Sequence, residues 1–175
     1  RIRALTAIQA NQDINLKSLI DADIIALNMS GGLCCVQVFF VRSGTNYGNT
    51  AFFPRIDHAA DPNDILAAFI GQFYSDKIPA GLLLVSHLPE GRALLEAALS
   101  QQASYKVNIS KPERGDRRKL MTMAIRNAEE ALARKLADTS SQKRLLQDIT
   151  EVLELDNIPR RIEIYDNSHI QGAYP

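Results

Sequence analysis

The side chains with the widest chemical reach here are carboxylates. Asp166 closes the apolar run 161–165 (RIEIY) and is followed by Asn167, Ser168, His169 and Gly172. Asp21, Asp23, Asp57, Asp61 and Asp64 lie far upstream. Carboxylate oxygens suit hard cations such as Mg²⁺, and two such ions can activate a water and stabilise a leaving oxygen. That chemistry needs several acids converging on one point, because a single carboxylate does not hold two metals. Each of these acids also has a plainer reading. An aspartate at a strand end before Asn-Ser forms turns. Asp61 precedes Pro62 as a helix N-cap would. Glu163 and Asp166 have odd spacing, so they face opposite sides of a strand.

Other chemistries find less support. His58, His87 and His169 are scattered, and none has the spacing of a zinc-ligand pair. Cys34 and Cys35 are adjacent in a β-prone run, where neighbours point to opposite faces, which suits neither a disulfide nor a shared metal. They read as small packing residues in a reducing, cytoplasmic setting. No apolar run is long enough for a membrane span, and the polar stretch 1–15 is not expected to be a signal peptide.

The formal net charge is zero, yet charge is segregated. Lys111 to Arg144 holds ten basic and five acidic residues, so the rest of the chain is acidic by the same margin. Arg114, Arg117, Arg118 and Lys119 fall in a loop or the first turns of a helix. There, basic side chains and helix N–H groups can grip phosphates. The alternative is a solvated helix face with arginine beside a carboxylate such as Asp116.

The elements that must position these groups follow from hydrophobic period and turn residues. The segment 1–15 reads as the end of a helix, with Ile2, Leu5 and Ile8 recurring before Asn11 and Asn15. Ile24–Met29, Leu33–Arg42 and Tyr47–Pro54 read as three antiparallel strands joined at Gly31-Gly32 and at 43–46. Asp61-Pro62-Asn63-Asp64 starts a helix with Ile65, Leu66, Phe69, Ile70 and Phe73 on one face. Leu82–Val85 reads as a strand buried on both faces. A helix over 89–99 and a strand over 106–109 follow. A long helical region begins after Arg114-Gly115-Asp116, with an interruption at Thr139-Ser140-Ser141 that can cap a second segment. Pro159 ends it, and RIEIY opens a new strand.

Three strands, helix, strand, helix, strand, long helix is the α/β order of the ribonuclease H-like fold: an antiparallel meander, then alternating helices and strands on one mixed sheet. The assignment is a fold-level analogy and does not give function. Nucleases of this fold carry carboxylates inside the first strand, near the end of the fourth, and on a late helix. Here Ile24–Met29 contains no acid, Asp21 and Asp23 read as lying before it, and the fourth strand ends Val85-Ser86-His87. Glu129 and Glu130 read as a solvated helix face. The module is therefore expected to be a catalytically empty copy of the fold.

The sequence resembles the UvrC family of excision-repair endonucleases over nearly its whole length. Asp21-Ala22-Asp23-Ile24-Ile25-Ala26-Leu27 followed by Val36-Gln37-Val38-Phe39-Phe40-Val41-Arg42 resembles the family's D-x-D-[VI]-[IF]-[AG]-L … V-Q-V-x-F-x-R. Phe53-Pro54, Gln72-Phe73-Tyr74, Arg114-Gly115-Asp116 and Asn127-Ala128 with Leu136 resemble further family motifs in the same order. Ile8-Gln9 and Gln12-Asp13 are similar to the exit of its UvrB-binding helical hairpin. Glu163 to Gly172 resembles the first strand of its C-terminal endonuclease domain, E-x-[FY]-D-[IN]-S-[HN]-x-x-G.

The resemblance implies three regions: 1–17, the end of the UvrB-binding hairpin and a linker; 18–157, an inactive ribonuclease H-like domain with long C-terminal helices; and 158–175, the first strand of the endonuclease domain. It implies that Asp166 is a catalytic metal ligand of the 5′ incision site, with His169 a weaker candidate. It further implies Mg²⁺ at the complete site, and UvrB, damaged DNA and other domains of the same chain as partners, with no membrane. The family's nicking domain, cysteine cluster and helix-hairpin-helix module find no match here, and Ala173-Tyr174-Pro175 departs from the usual continuation. The expectation is a piece of an endonuclease that is inert alone. Two alternatives remain open: a non-catalytic nucleic-acid-binding module, and a self-sufficient metal nuclease using the upstream aspartates.

Overall fold

The computed structural model describes residues 21–56, 60–159 and 161–163. Among the described residues there are five strands and three helices: β1 (Asp21–Ser30), β2 (Leu33–Arg42), β3 (Thr45–Phe52), α1 (Pro62–Phe73), β4 (Leu82–Val85), α2 (Arg92–Ala103), β5 (Asn108–Ser110) and α3 (Gly115–Val152). The strands form one mixed sheet in the order β3-β2-β1-β4-β5. β1 pairs antiparallel with β2 and parallel with β4, and β4 pairs parallel with β5. The chain divides into two compact units between Lys135 and Leu136.

The meander is set by two tight turns. Gly31 and Gly32 both have positive φ, as do Ser43 and Gly44, the backbone that a two-residue hairpin needs to match strand twist. The second turn therefore closes at Gly44, so β3 starts at Thr45 rather than at the expected Tyr47. The first turn pairs Ser30 with Leu33, and the register then runs without a break to Asp21 opposite Arg42. β1 is accordingly longer than expected. Asp21 and Asp23 lie inside it, which corrects the reading of a first strand without an acid.

Alternation along β1 builds a core on each face of the sheet. Ile25 and Leu27 pack with Val36, Val38 and Val85 against Ile65, Leu66 and Ile70 of α1 and Leu99 of α2. Ala22, Ile24 and Ala26 pack with Phe39, Val41 and Leu84 against Leu120, Met121 and Ala124 of α3. Small residues at Ala22, Ala26 and Ala124 let the helix lie close. β4 is inserted between β1 and β5, which explains its apolar run.

The helix ends follow local chemistry. Asp61 is extended, and its Oδ1 accepts from the Asn63 N–H at 2.7 Å, with Pro62 next. α2 starts at Arg92 and not at Pro89, because Gly91 is left-handed; it ends at Ala103, and its C-cap Ser104 is also left-handed. β5 covers 108–110, shifted from the expected 106–109, although Val107 and Ile109 are both buried as the alternation requires. The interruption expected at 139–141 is absent, and α3 is continuous. Ser140 Oγ donates back to the Ala137 carbonyl at 2.8 Å, so this hydroxyl is satisfied within the helix rather than capping a new one.

Cys34 and Cys35 are free and buried. Burial raises both thiols, and with the neighbouring Cys34 it pushes Cys35 up to about 11. These are packing residues without thiolate chemistry at neutral pH. Of the expected RIEIY strand, 161–163 are described and belong to no strand. The rest of that segment, with Asp166 and His169, lies outside the described residues, as do Asp57, His58 and the stretch 1–20.

Candidate functional site

An open sheet with parallel strands binds ligands at their carboxyl ends, where the chain leaves neighbouring strands in opposite directions. Here that point lies between β1, whose chain leaves toward β2, and β4, whose chain leaves toward β5. The side chains at this seam are Leu27 and Ser86. The Ser86 N–H donates to the Ile25 carbonyl at 3.0 Å, extending the pairing by one residue. Its Oγ accepts from the Leu27 N–H at 2.9 Å and lies 3.0 Å from His87 Nδ1. Leu27 is 3% exposed and belongs to the core. A carboxylate pair here would offer Mg²⁺ oxygen ligands. A leucine and an already engaged hydroxyl do not fit that ion.

Around the seam stand His87, Asp61, Asp64, Glu90 and Lys111. Burial lowers the His87 pKa, the charge of Lys111 lowers it further, and Asp61 opposes, so the imidazole is neutral at pH 7. The neighbouring Asp64 carboxylate raises that of Glu90 through a hydrogen bond and its charge. Among the described residues no three His, Cys, Asp or Glu side chains are placed to hold a metal ion.

Asp23, missed by the sequence reading as a strand residue, is fully buried near the other end of β1, about 13 Å along the strand from Leu27. Its Oδ1 accepts from Arg42 Nη1 at 2.6 Å, and its Oδ2 from Tyr74 Oη at 2.7 Å and the Ala80 N–H at 3.2 Å. Burial opposes the Arg42 charge, but the hydrogen bond and charge of Asp23 outweigh it and raise the guanidinium pKa. Burial, with the charge and hydrogen bond of Asp23, also raises the Tyr74 hydroxyl. Tyr74 therefore remains a donor. Both oxygens of this carboxylate are engaged by protein donors, which leaves it a structural knot. The signal was present in the sequence: counting outward from the two-residue turn at Gly31-Gly32 brings Arg42 beside Asp21 and Asp23.

Among the described residues the upstream aspartates thus do not converge. Asp21 accepts from the Ser43 N–H at 3.0 Å, Asp23 is enclosed, Asp61 caps α1, and Asp64 stands beside Glu90. A cleft of about 640 Å³ lies at the amino end of β1, lined by Asp21, Arg42, Ile78, Pro79, Gly81 and Tyr105. It is roomy but sits at the wrong end of the parallel strands. Its charged side chains are already engaged.

The basic residues gather elsewhere. Arg114, Arg117, Arg118 and Lys119 are all exposed, in the loop after β5 and the first turns of α3. Lys119 pairs with Asp116 at 3.1 Å. Arg114, Arg117 and Arg118 have no ion-pair partner among the described residues. The bland expectation of an arginine held by Asp116 is therefore not what forms; the lysine takes that carboxylate. Glu130 pairs with Arg126 at 3.0 Å on the exposed helix, in keeping with a solvated face.

Comparison with known proteins agrees with this geometry. Residues 21–135 match the family described as the UvrC ribonuclease H-like domain. The chain is 51% identical over 173 residues to the UvrABC system protein C of Nitrobacter hamburgensis, covering 99% of this chain and 25% of that protein. It is 49% identical to the Maricaulis maris protein of the same name and 48% to that of Brucella abortus, covering 27% and 28% of them. The chain spans about a quarter of the length of these curated relatives.

Proposed function

This chain belongs to the UvrC ribonuclease H-like domain family, and we propose that it is a non-catalytic platform within the nucleotide excision repair endonuclease. In this reading the parent protein hydrolyses phosphodiester bonds on both sides of a lesion, in the cytoplasm, on damaged DNA delivered by UvrB. Residues 18–157 form the inactive domain. Residues 1–17 are the end of the UvrB-binding hairpin and a linker, and 158–175 open the endonuclease domain. The observation that carries the reading is the Leu27–Ser86 seam: where active copies of the fold need carboxylates, this one has core packing and a hydroxyl closed on a backbone amide.

Mg²⁺ belongs, in this proposal, to the 5′ site of the complete endonuclease domain. Asp166 would be one of its ligands, with His169 nearby. The ion would supply an activated water and stabilise the leaving oxygen. What the present domain supplies is position: a rigid sheet with a defined helix on each face.

The test is a full-length protein carrying Asp61→Asn, Asp64→Asn and Glu90→Gln, the acids grouped with His87 beside the seam. Asparagine caps helices about as well as aspartate, so folding should be retained. Both incisions of a UvrB-loaded damaged duplex are expected at the unmodified rate. Loss of either cut in the folded variant would return catalysis to this domain.

The free guanidinium groups support a DNA contact by the same domain. Arg114→Gln, Arg117→Gln and Arg118→Gln together, in the full-length protein, are expected to weaken binding to duplex DNA regardless of sequence. The slope of log affinity against log salt should fall by about 2 to 3, near one unit per lost phosphate contact. Fluorescence anisotropy over a salt series measures this. An unchanged slope would make these arginines a solvated face.

A further inference from the structure

Among the described residues nothing covers an apolar face on the second half of α3. The last buried residue of the helix is Leu132. Beyond it, Leu145, Ile149, Val152, Leu153, Leu155 and Ile158 are all exposed, Val152 at 79%. Half of the exposed large apolar side chains of the described residues fall between Leu145 and Ile162, a density that marks a contact surface rather than scattered exposure. Leu145, Ile149, Val152 and Leu153 have the spacing i, i+4, i+7, i+8, which places them on one stripe.

The stripe lies on a formed helix with a built end. Glu154 is left-handed, its N–H reaches the Glu151 carbonyl at 3.3 Å, and the Leu155 N–H reaches the Thr150 carbonyl at 2.9 Å. This is the paired-bond C-cap that terminates helices at a fixed residue. The 136–152 stretch is roughly 25 Å long. Most helical stability in proteins comes from tertiary packing of an apolar face rather than from propensity.

We propose that this stripe is the docking surface for the part of the same polypeptide that continues beyond Pro175. The proposal rests on the reading of the chain as an internal part of a longer endonuclease. The relatives are about four times as long as this chain, so a large body of the parent is available as cover. A segment joined through a short linker meets the stripe at an effective concentration near the millimolar range. A second copy is a poorer occupant. The stripe spans little more than one heptad, and a coiled coil between copies needs about three or four.

A photo-cross-linking residue placed at position 149 of the full-length protein tests this, with position 147, on the opposite side of the helix, as the control. Within-chain cross-links to residues beyond 175 are expected at least ~10-fold above the control, since a packed face excludes solvent and a free one does not. Cross-links of dimer mass, cross-links confined to residues before 136, or yields equal to the control would each overturn the proposal. Incision assays on the same protein report separately on the platform reading, so the two can fail independently.

Discussion

Replacing Asp23 by alanine is expected to destabilise the domain by about 3 kcal/mol or more, the usual cost of breaking a buried ion pair from one side. Asp23 is fully buried and holds Arg42, Tyr74 and the Ala80 N–H. Without it, the Tyr74 hydroxyl and the Ala80 amide lose their acceptor in an enclosed place, at about 1 to 3 kcal/mol each. Arg42 is a third exposed, so water recovers part of its loss. Asp23→Asn keeps the shape and one acceptor oxygen and should cost less. Removing both ends of the pair, Asp23→Leu with Arg42→Met, should recover part of the alanine loss, because no charge is then left unpaired. Urea unfolding followed by circular dichroism reads all three as shifts of midpoint at constant slope. A loss below about 1 kcal/mol for Asp23→Ala would put the carboxylate outside the range of a buried structural group.

The second large effect is expected at Asp166. In the full-length protein, Asp166→Ala should abolish the 5′ incision by orders of magnitude, because a metal site that loses a carboxylate ligand loses both the ion's position and the activated water. The 3′ incision should persist on a UvrB-loaded duplex. Asp23→Asn, in the folded fraction, should leave both cuts in place. End-labelled damaged duplexes separate the two cuts on a gel. A 5′ cut that survives Asp166→Ala would remove this residue from the site.

Much of the fold was legible because its signals are local. The Asp61-Pro62 start of α1, the apolar run of β4 and the glycines at 31–32 each dictate their element through backbone chemistry. The limits of β1 were legible only by counting from the turn, since two aspartates argue against strand on composition alone. The register from the turn brings Arg42 beside the buried charge, and only the fold brings Tyr74 to it. Thr139-Ser140-Ser141 misled for a related reason: hydroxyl residues cap helices or bond backward within them, and the choice depends on whether the helix continues. The emptiness of the seam was legible at Leu27 and Ser86. The hydroxyl-to-amide bond that closes it was not, because it joins residues 59 positions apart.

The central claim is that this domain carries structure and no catalysis. Its most direct test is incision of a damaged duplex loaded with UvrB, in Mg²⁺, by residues 1–175 alone beside the full-length parent. Both cuts are expected from the parent and none from the 175-residue chain. A metal-dependent cut by the short chain would contradict the claim and would make ligands of the acids between Asp21 and Asp64.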